Sequence, residues 1–259
     1  MSVADEIKIL RVIHALNAES PIEFVPTFLG AHALPSDAGD YVNDVVNEML
    51  PRVAAEHLAE YCDVFCERGY FGFEDTRRIL TAARSHGLKL RMHADQLTNA
   101  GAAKLAAELG ATTADHLEQT DASGIAAMKA AGVQPVLLPA SVYSLGKTHY
   151  PRAREMIDAA LAVVLATDFN PGSSLTPSLQ MVISLAATQM KMSIAESLTA
   201  CTINAAYSLN RGDSIGSLEA GKLGNFAVFD CSDYRELGYW FGRSQTHAVF
   251  IRGEQVFGA

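Results

Sequence analysis

Short apolar runs of strand length alternate with runs of helix length along this chain, and each apolar run gives way to a polar or turn-forming residue. The tips fall at His32, Glu67, His93, His116, Pro139 and Asp168. The steps between them are 35, 26, 23, 23 and 29 residues, each enough for a strand, a helix and two turns. Regular alternation of this kind predicts an α/β fold with a parallel sheet and covering helices. Helices are expected over 41–61 with a break or kink at Pro51, then over 76–86, 99–109 and 152–161. Another should start at Thr120 or Asp121 and stop at Gly132, as Gly87 and Gly110 stop those before it. Six strand units are visible, whereas a closed (β/α) barrel needs eight.

Beyond Asp168 the pattern changes. Helices are predicted over 177–190 and 193–209, the second opening on Ser193-Ile-Ala-Glu196, a capping-box pattern. From Gly212 the chain is punctuated by glycine, with strand-like runs at 224–230 and 248–253. The expected division is a barrel domain over 1–210, incomplete at its N-terminus, and a small β segment over 211–259. No element is placed before Ile22.

A net charge of −9 over 259 residues, with no basic run and no aromatic platform, argues against a nucleic-acid surface. No apolar stretch approaches the roughly 20 residues of a membrane span, and the first residues lack the apolar core of a signal peptide. Cys62, Cys66, Cys201 and Cys231 are too few and scattered for a disulfide framework, which fits reduced thiols in a cytoplasmic protein.

His93, His116 and Asp168 carry the chemical signal. Imidazole and carboxylate are the donors a zinc-type ion takes, and barrel strand ends converge on one rim. Taken singly, each could be a hydrogen-bonded core histidine or a capping aspartate. The segment Thr167-Asp-Phe-Asn-Pro-Gly-Ser-Ser174 reads as a turn, or as a cradle in which Asn170, Gly172 and Ser173 meet a polar substrate. His32 and Gln96 are weak signals individually. His14, His57, His86, His149 and His247 read as surface or helix residues. Asp115 and Glu118 either point away from the site or orient the His116 imidazole. There is no phosphate-binding loop of the Walker type.

Four segments, Thr27-Phe-Leu-Gly-Ala-His-Ala-Leu-Pro35, Met92-His-Ala-Asp-Gln96, Ala114-Asp-His-Leu-Glu118 and Thr167-Asp-Phe-Asn-Pro-Gly-Ser-Ser174, closely resemble the imidazolonepropionases of the amidohydrolase superfamily. The likeness runs through Gly221-Lys-Leu-Gly-Asn-Phe-Ala-Val-Phe-Asp230 and covers nearly the whole chain. It implies a metal-dependent, TIM-like barrel of which strands three to eight are present, with part of a small β domain. His93 and Asp168 are then implied ligands of one zinc or iron ion, since the fourth strand lacks the bridging Lys of binuclear relatives. His116 is the implied catalytic histidine, with Asp168 sharing the proton transfer. His32, Gln96, Asn170, Gly172 and Ser173 are implied contacts to substrate. Some family members have Glu where this chain has Gln96, and an amide is no general base.

The implied reaction is hydrolysis of 4-imidazolone-5-propanoate to N-formimidoyl-L-glutamate by metal-activated water in histidine degradation, in a homodimer. This sequence departs from the family in one large respect. The His-x-His metal pair of the first barrel strand, and an upstream substrate-binding Arg and Tyr, have no counterpart here. A chain short of ligands should bind metal weakly, so it is expected to be inactive alone. Other readings are an amidohydrolase acting on another cyclic amide or deaminating a nucleobase, and a truncated fragment without activity.

Overall fold

The computed structural model describes residues 2–35 and 40–258, in two compact units, Met1–Val133 and Gln134–Ala259. The first opens on helix α1 (Val3–Glu19), which Ser2 caps by accepting from the Asp5 amide. Strand β1 (Thr27–Ala31) follows, then α2 (Tyr41–Asp44), a π-type turn (Val45–Met49) and α3 (Leu50–Ala55). Next come β2 (Tyr61–Cys66), α4 (Phe73–Ser85), β3 (Lys89–Ala94), α5 (Ala102–Glu108), β4 (Thr113–His116) and α6 (Ala122–Ala131). The strands pair in sequence order, β1 with β2, β2 with β3 and β3 with β4, all parallel.

Much of this follows from local chemistry. The Asp121 side chain accepts from the Ser123 and Gly124 amides and starts α6, and Gly132, at φ +73°, ends it in the left-handed turn that glycine adopts without strain. The helix expected over 41–61 is shorter: it ends at Ala55, with Pro51 in the first turn of α3, and Tyr61 already belongs to β2. Helix α1 went unseen in the sequence because few of its residues meet the core; Ile7 and Leu10 are buried while most others face solvent.

The second unit contains β5 (Gln134–Leu137), α7 (Pro139–Ser144), α8 (Ala153–Asp158), β6 (Val164–Leu165), α9 (Leu179–Met190), α10 (Ile194–Cys201) and α11 (Ile203–Ser208). It ends with β7 (Phe226–Phe229), α12 (Glu236–Tyr239), β8 (Thr246–Ile251) and β9 (Glu254–Phe257). β5 pairs parallel with β6, whereas β7, β8 and β9 form a separate antiparallel sheet. Pro139 is not a strand tip but stands in the first turn of α7. The span 193–209 divides at Thr202 into α10 and α11, and Ser193 and Glu196 form the expected capping box. Val136, Leu138 and Val164 form a small core against Ala166 and Ala205. The α/β class and the parallel strands with intervening helices are as the alternation predicts, and the later glycine-rich segment folds as a small β-sheet.

Candidate metal centre

The register of the first unit sets its chemistry. β2 and β3 bring Asp63 beside Arg91 and Phe65 beside His93; β3 and β4 bring His93 beside Asp115. Side chains alternate along a strand. Asp63, Phe65, Arg91, His93 and Asp115 therefore share one face of this sheet, where the Arg91 guanidinium lies 4.1 Å from the Tyr61 ring centre. Cys62, Val64, Met92 and Ala94 occupy the other face and are buried.

At the carboxyl end of these strands three imidazoles gather. The His32 and His93 rings lie 4.5 Å apart at 78°, and the His93 and His116 rings 5.0 Å apart. His32 follows β1, His93 is next to last in β3, and His116 ends β4. His116 and Leu117 both have left-handed backbone, at φ +76° and +68°, as does Asp95 at +48°. Such residues without a glycine's freedom cost about 1–3 kcal/mol each and concentrate where function holds them.

Buried carboxylates aim these rings. Asp63 Oδ1 lies 3.0 Å from His93 Nδ1, accepts from the His93 amide at 3.2 Å, and stands 3.4 Å from His32 Nε2. Glu118 Oε1 lies 3.4 Å from His116 Nδ1, so Glu118 contacts the imidazole and orients it. Glu67 is a clamp: its carboxylate accepts from the Arg68, Leu97 and Thr98 amides and so holds the loop that carries Gln96. His14, His57, His86, His149 and His247 are all exposed, as expected.

Burial alone would push the Asp63 carboxyl up, but the imidazoles of His93 and His32 outweigh it and hold the group well below the usual carboxylate range. Burial, with His93 alongside, pushes His32 down and favours its neutral form. Asp115 moves up, through burial and the charge of Asp63.

Asp63 was not foreseen as part of this centre. The signal was present, because a charged residue inside the otherwise apolar Tyr61-Cys-Asp-Val-Phe-Cys66 is rarely buried without a partner. One donor atom each from His32, Asp63 and His93 lies within 4.8 Å of the other two. His32 Nε2 is buried and faces the Asp63 carboxylate at 3.4 Å. Two imidazoles and one carboxylate fit a zinc or iron ion in donor type.

The second unit gathers the other expected residues. Asn170 Oδ1 accepts from the Gly172 and Ser173 amides, both at 2.8 Å, and Asn170 Nδ2 donates to the Asp168 carbonyl at 2.7 Å. Ser173 Oγ lies 3.3 Å from Asp168 Oδ2. The segment is thus a turn closed by Asn170, with Asp168 at φ +52°, three residues beyond the end of β6. A groove of about 990 Å³ in the same unit is lined by Leu198, Cys201, Leu218, Phe226 and Phe241, among others, and has no His, Asp or Glu in its walls.

Comparison with known proteins settles the family. Residues 6–238 match the model described as "Amidohydrolase family". The chain belongs to the amidohydrolase family. Among similar curated proteins, an imidazolonepropionase of Solibacter usitatus is 60% identical across 99% of this chain, and one of Desulfotalea psychrophila is 49% identical across 97%. This amidohydrolase spans 62% of the length of each. A zinc-bound adenosine deaminase of Xanthomonas campestris superimposes over 96% of the chain, with a TM-score of 0.74 at 20% identity and 64% of its own length covered. A 5-methylcytosine deaminase of Klebsiella pneumoniae also superimposes over 96%, with a TM-score of 0.77 at 16% identity and 67% covered. At such identities the likeness speaks for the fold alone.

Proposed function

We propose that this amidohydrolase serves to open the ring of 4-imidazolone-5-propanoate by hydrolysis, giving N-formimidoyl-L-glutamate in histidine degradation. The observation that carries this reading is the 60% identity to the Solibacter usitatus imidazolonepropionase over 99% of the chain. The gathering of His32, His93 and His116 at adjacent strand ends supports it.

One zinc or iron ion is the proposed cofactor, with His93 and Asp168 among its ligands. When bound, such an ion acidifies water and polarises a carbonyl. His116, oriented by Glu118 at Nδ1, would steady the oxygen that gains charge. Asp168 would carry the proton from water to the ring nitrogen as the C–N bond breaks. The carbonyl carbon then becomes a carboxylate, and the nitrogen leaves as the N–H of the formimidoyl group. His32, Gln96, Asn170, Gly172 and Ser173 are the proposed contacts to the ring and the propanoate.

The same reading places the protein in the cytoplasm as a homodimer without nucleic-acid or membrane partners. Among the described residues no helix is long and apolar enough to cross a membrane. We also infer a catalytic domain over 1–210 and a small β domain beginning at 211.

The test supplies the chain with a polypeptide equal to the portion of the Solibacter usitatus relative that it does not span, adds zinc or ferrous iron, and follows the substrate's ultraviolet absorbance. Ring opening without free ammonia is the expected result, with no turnover by the chain alone. Ammonia from adenosine or 5-methylcytosine, with the imidazolone untouched, replaces this reading with a deaminase. No turnover of either leaves a fragment without activity.

A further inference from the structure

Strand β2 and the turn after it bring two aromatic rings beside the gathered imidazoles. Register sets Phe65 next to His93 on one sheet face. The Phe65 ring centre lies 6.0 Å from that of His93 and 6.3 Å from that of His32. Tyr70 extends the row, with its ring centre 4.3 Å from that of Phe65 at 46°. These spacings lie in or near the range of tilted aromatic contacts.

The turn between the two rings treats neighbouring aromatic residues differently. The Tyr70 amide donates to the Glu67 carbonyl at 3.0 Å, and Gly69, at φ +87°, supplies the left-handed residue that such a turn needs. The Phe71 amide then returns to the Phe65 carbonyl at 3.3 Å, and Phe71 enters the core fully buried. Tyr70 stays 40% exposed. Hydrophobic burial alone would cover both rings. A single exposed tyrosine means little, so the decision rests on its neighbour. Phe65 is only half-buried, and it joins Tyr70 to two of the three imidazoles.

We propose that Phe65 and Tyr70 form an aromatic wall that takes the flat face of a conjugated five-membered ring, and so selects planar heterocycles over saturated rings of the same size. The inference rests on the proposed reaction: a ring whose carbonyl meets the imidazoles has Phe65 as its nearest aromatic neighbour. Stacking of this kind changes affinity by about 2–12-fold beyond the area it buries. The wall holds the ring alike before and during bond breaking, so it acts on KM rather than on kcat.

The probes are imidazole-4-propanoate, flat and conjugated, and 3-cyclopentylpropanoate, saturated and of similar length. Each is titrated against the full 259-residue chain by saturation-transfer NMR, at about pH 8 where the imidazole is neutral. A chelator removes any metal tie to the probe. The wild type should bind the flat probe in the millimolar range, at least about 3-fold tighter than the saturated one. Tyr70→Leu and Phe65→Leu should weaken the flat probe about 3–10-fold and leave the saturated one within about 2-fold. Tyr70→Phe, which keeps the ring, should match the wild type. Should Phe65→Leu fail to fold, Tyr70→Leu decides alone, since Tyr70 lies in an exposed turn. No binding of the flat probe, equal binding of both, or a Tyr70→Leu change that weakens both alike or neither overturns the wall. In the completed protein, Tyr70→Leu should raise KM for the imidazolone by a similar factor with kcat little changed; an unchanged KM overturns the wall too. If the completed protein opens no imidazolone while the chain still prefers the flat probe, the proposed reaction falls and the wall stands for another planar ring.

Discussion

In the first unit, Asp63, Glu67 and Asp95 at the sheet's carboxyl end are tied to groups far away in sequence; in the Thr167–Ser174 turn of the second, the polar side chains are tied to their immediate neighbours. Asp63 reaches His93 thirty residues on, Glu67 reaches Thr98 thirty-one residues on, and Asp95 reaches Thr120 twenty-five residues on. From Thr167 to Ser174, by contrast, the ties described above span five residues or fewer, and Ser174 Oγ donates to the Thr167 carbonyl only seven residues back. The cores differ in the same sense. Tyr61, Phe28, Phe71, Met92 and Leu117 are fully buried in the first unit, whereas Leu175, Leu218, Tyr239 and Phe241 are more than half exposed in the second. Long-range polar ties over a dense core fix the geometry of side chains that must meet. A local turn keeps its own shape whatever the core does, but cannot place that shape against a distant group.

The sharpest break in this contrast is at Asp95. Its carboxylate is 2% exposed and accepts from the Gly101, Ala102 and Ala103 amides and from Thr120 Oγ1. It starts α5 and fastens the loop after β3 to the loop after β4. Asp95→Ala strands those donors in the interior and is expected to cost about 3–5 kcal/mol, read as a lower urea midpoint. A loss under about 1 kcal/mol would mean that the long-range ties do not hold this end of the sheet.

The same contrast explains what the bare sequence gave away. The parallel strands were legible because buried strands are apolar runs of the right length, and Gly132 and the Ser193–Glu196 box marked helix ends by their own chemistry. His93 and His116 were legible because each interrupts such a run at its end. Asp63 was hidden because it sits inside its run, where its role depends on which residue of β3 lies alongside. The shortness of β6 was hidden too: Ala162 to Thr167 reads as one apolar run, yet pairing holds only Val164 and Leu165. Register is a property of two segments together, and a single segment does not carry it.

Asn170 tests the local side of the comparison. Asn170→Ala removes the acceptor for the Gly172 and Ser173 amides and the donor to the Asp168 carbonyl, in a turn largely open to solvent. Water can replace each partner, so the expected cost is about 1 kcal/mol or less. Faster hydrogen exchange should be confined to the turn. Loss of protection in β5 or β6 would show that the turn supports the strands, contrary to its short-range wiring.

The smallest effect is expected where the second unit relies on charge at its surface. Glu196 accepts from the Ser193 amide at 2.7 Å and pairs with Arg154. The Arg154 guanidinium and that amide hold its carboxyl down at about 2, against an ordinary 4.5. Because the folded form has the lower pKa, the stabilisation is complete above about pH 5 and fades as the pH falls from 4.5 toward 2. The side chain is one-third exposed and the pair is screened by water and salt, so its worth at neutral pH is about 1 kcal/mol at most. Glu196→Gln should therefore lower the melting temperature slightly at pH 7, less in high salt, and converge with the wild type near pH 2–3. A difference that grew on acidification would mean that the glutamate is held neutral by its surroundings, and would place part of the second unit's cohesion in burial rather than in exposed charge.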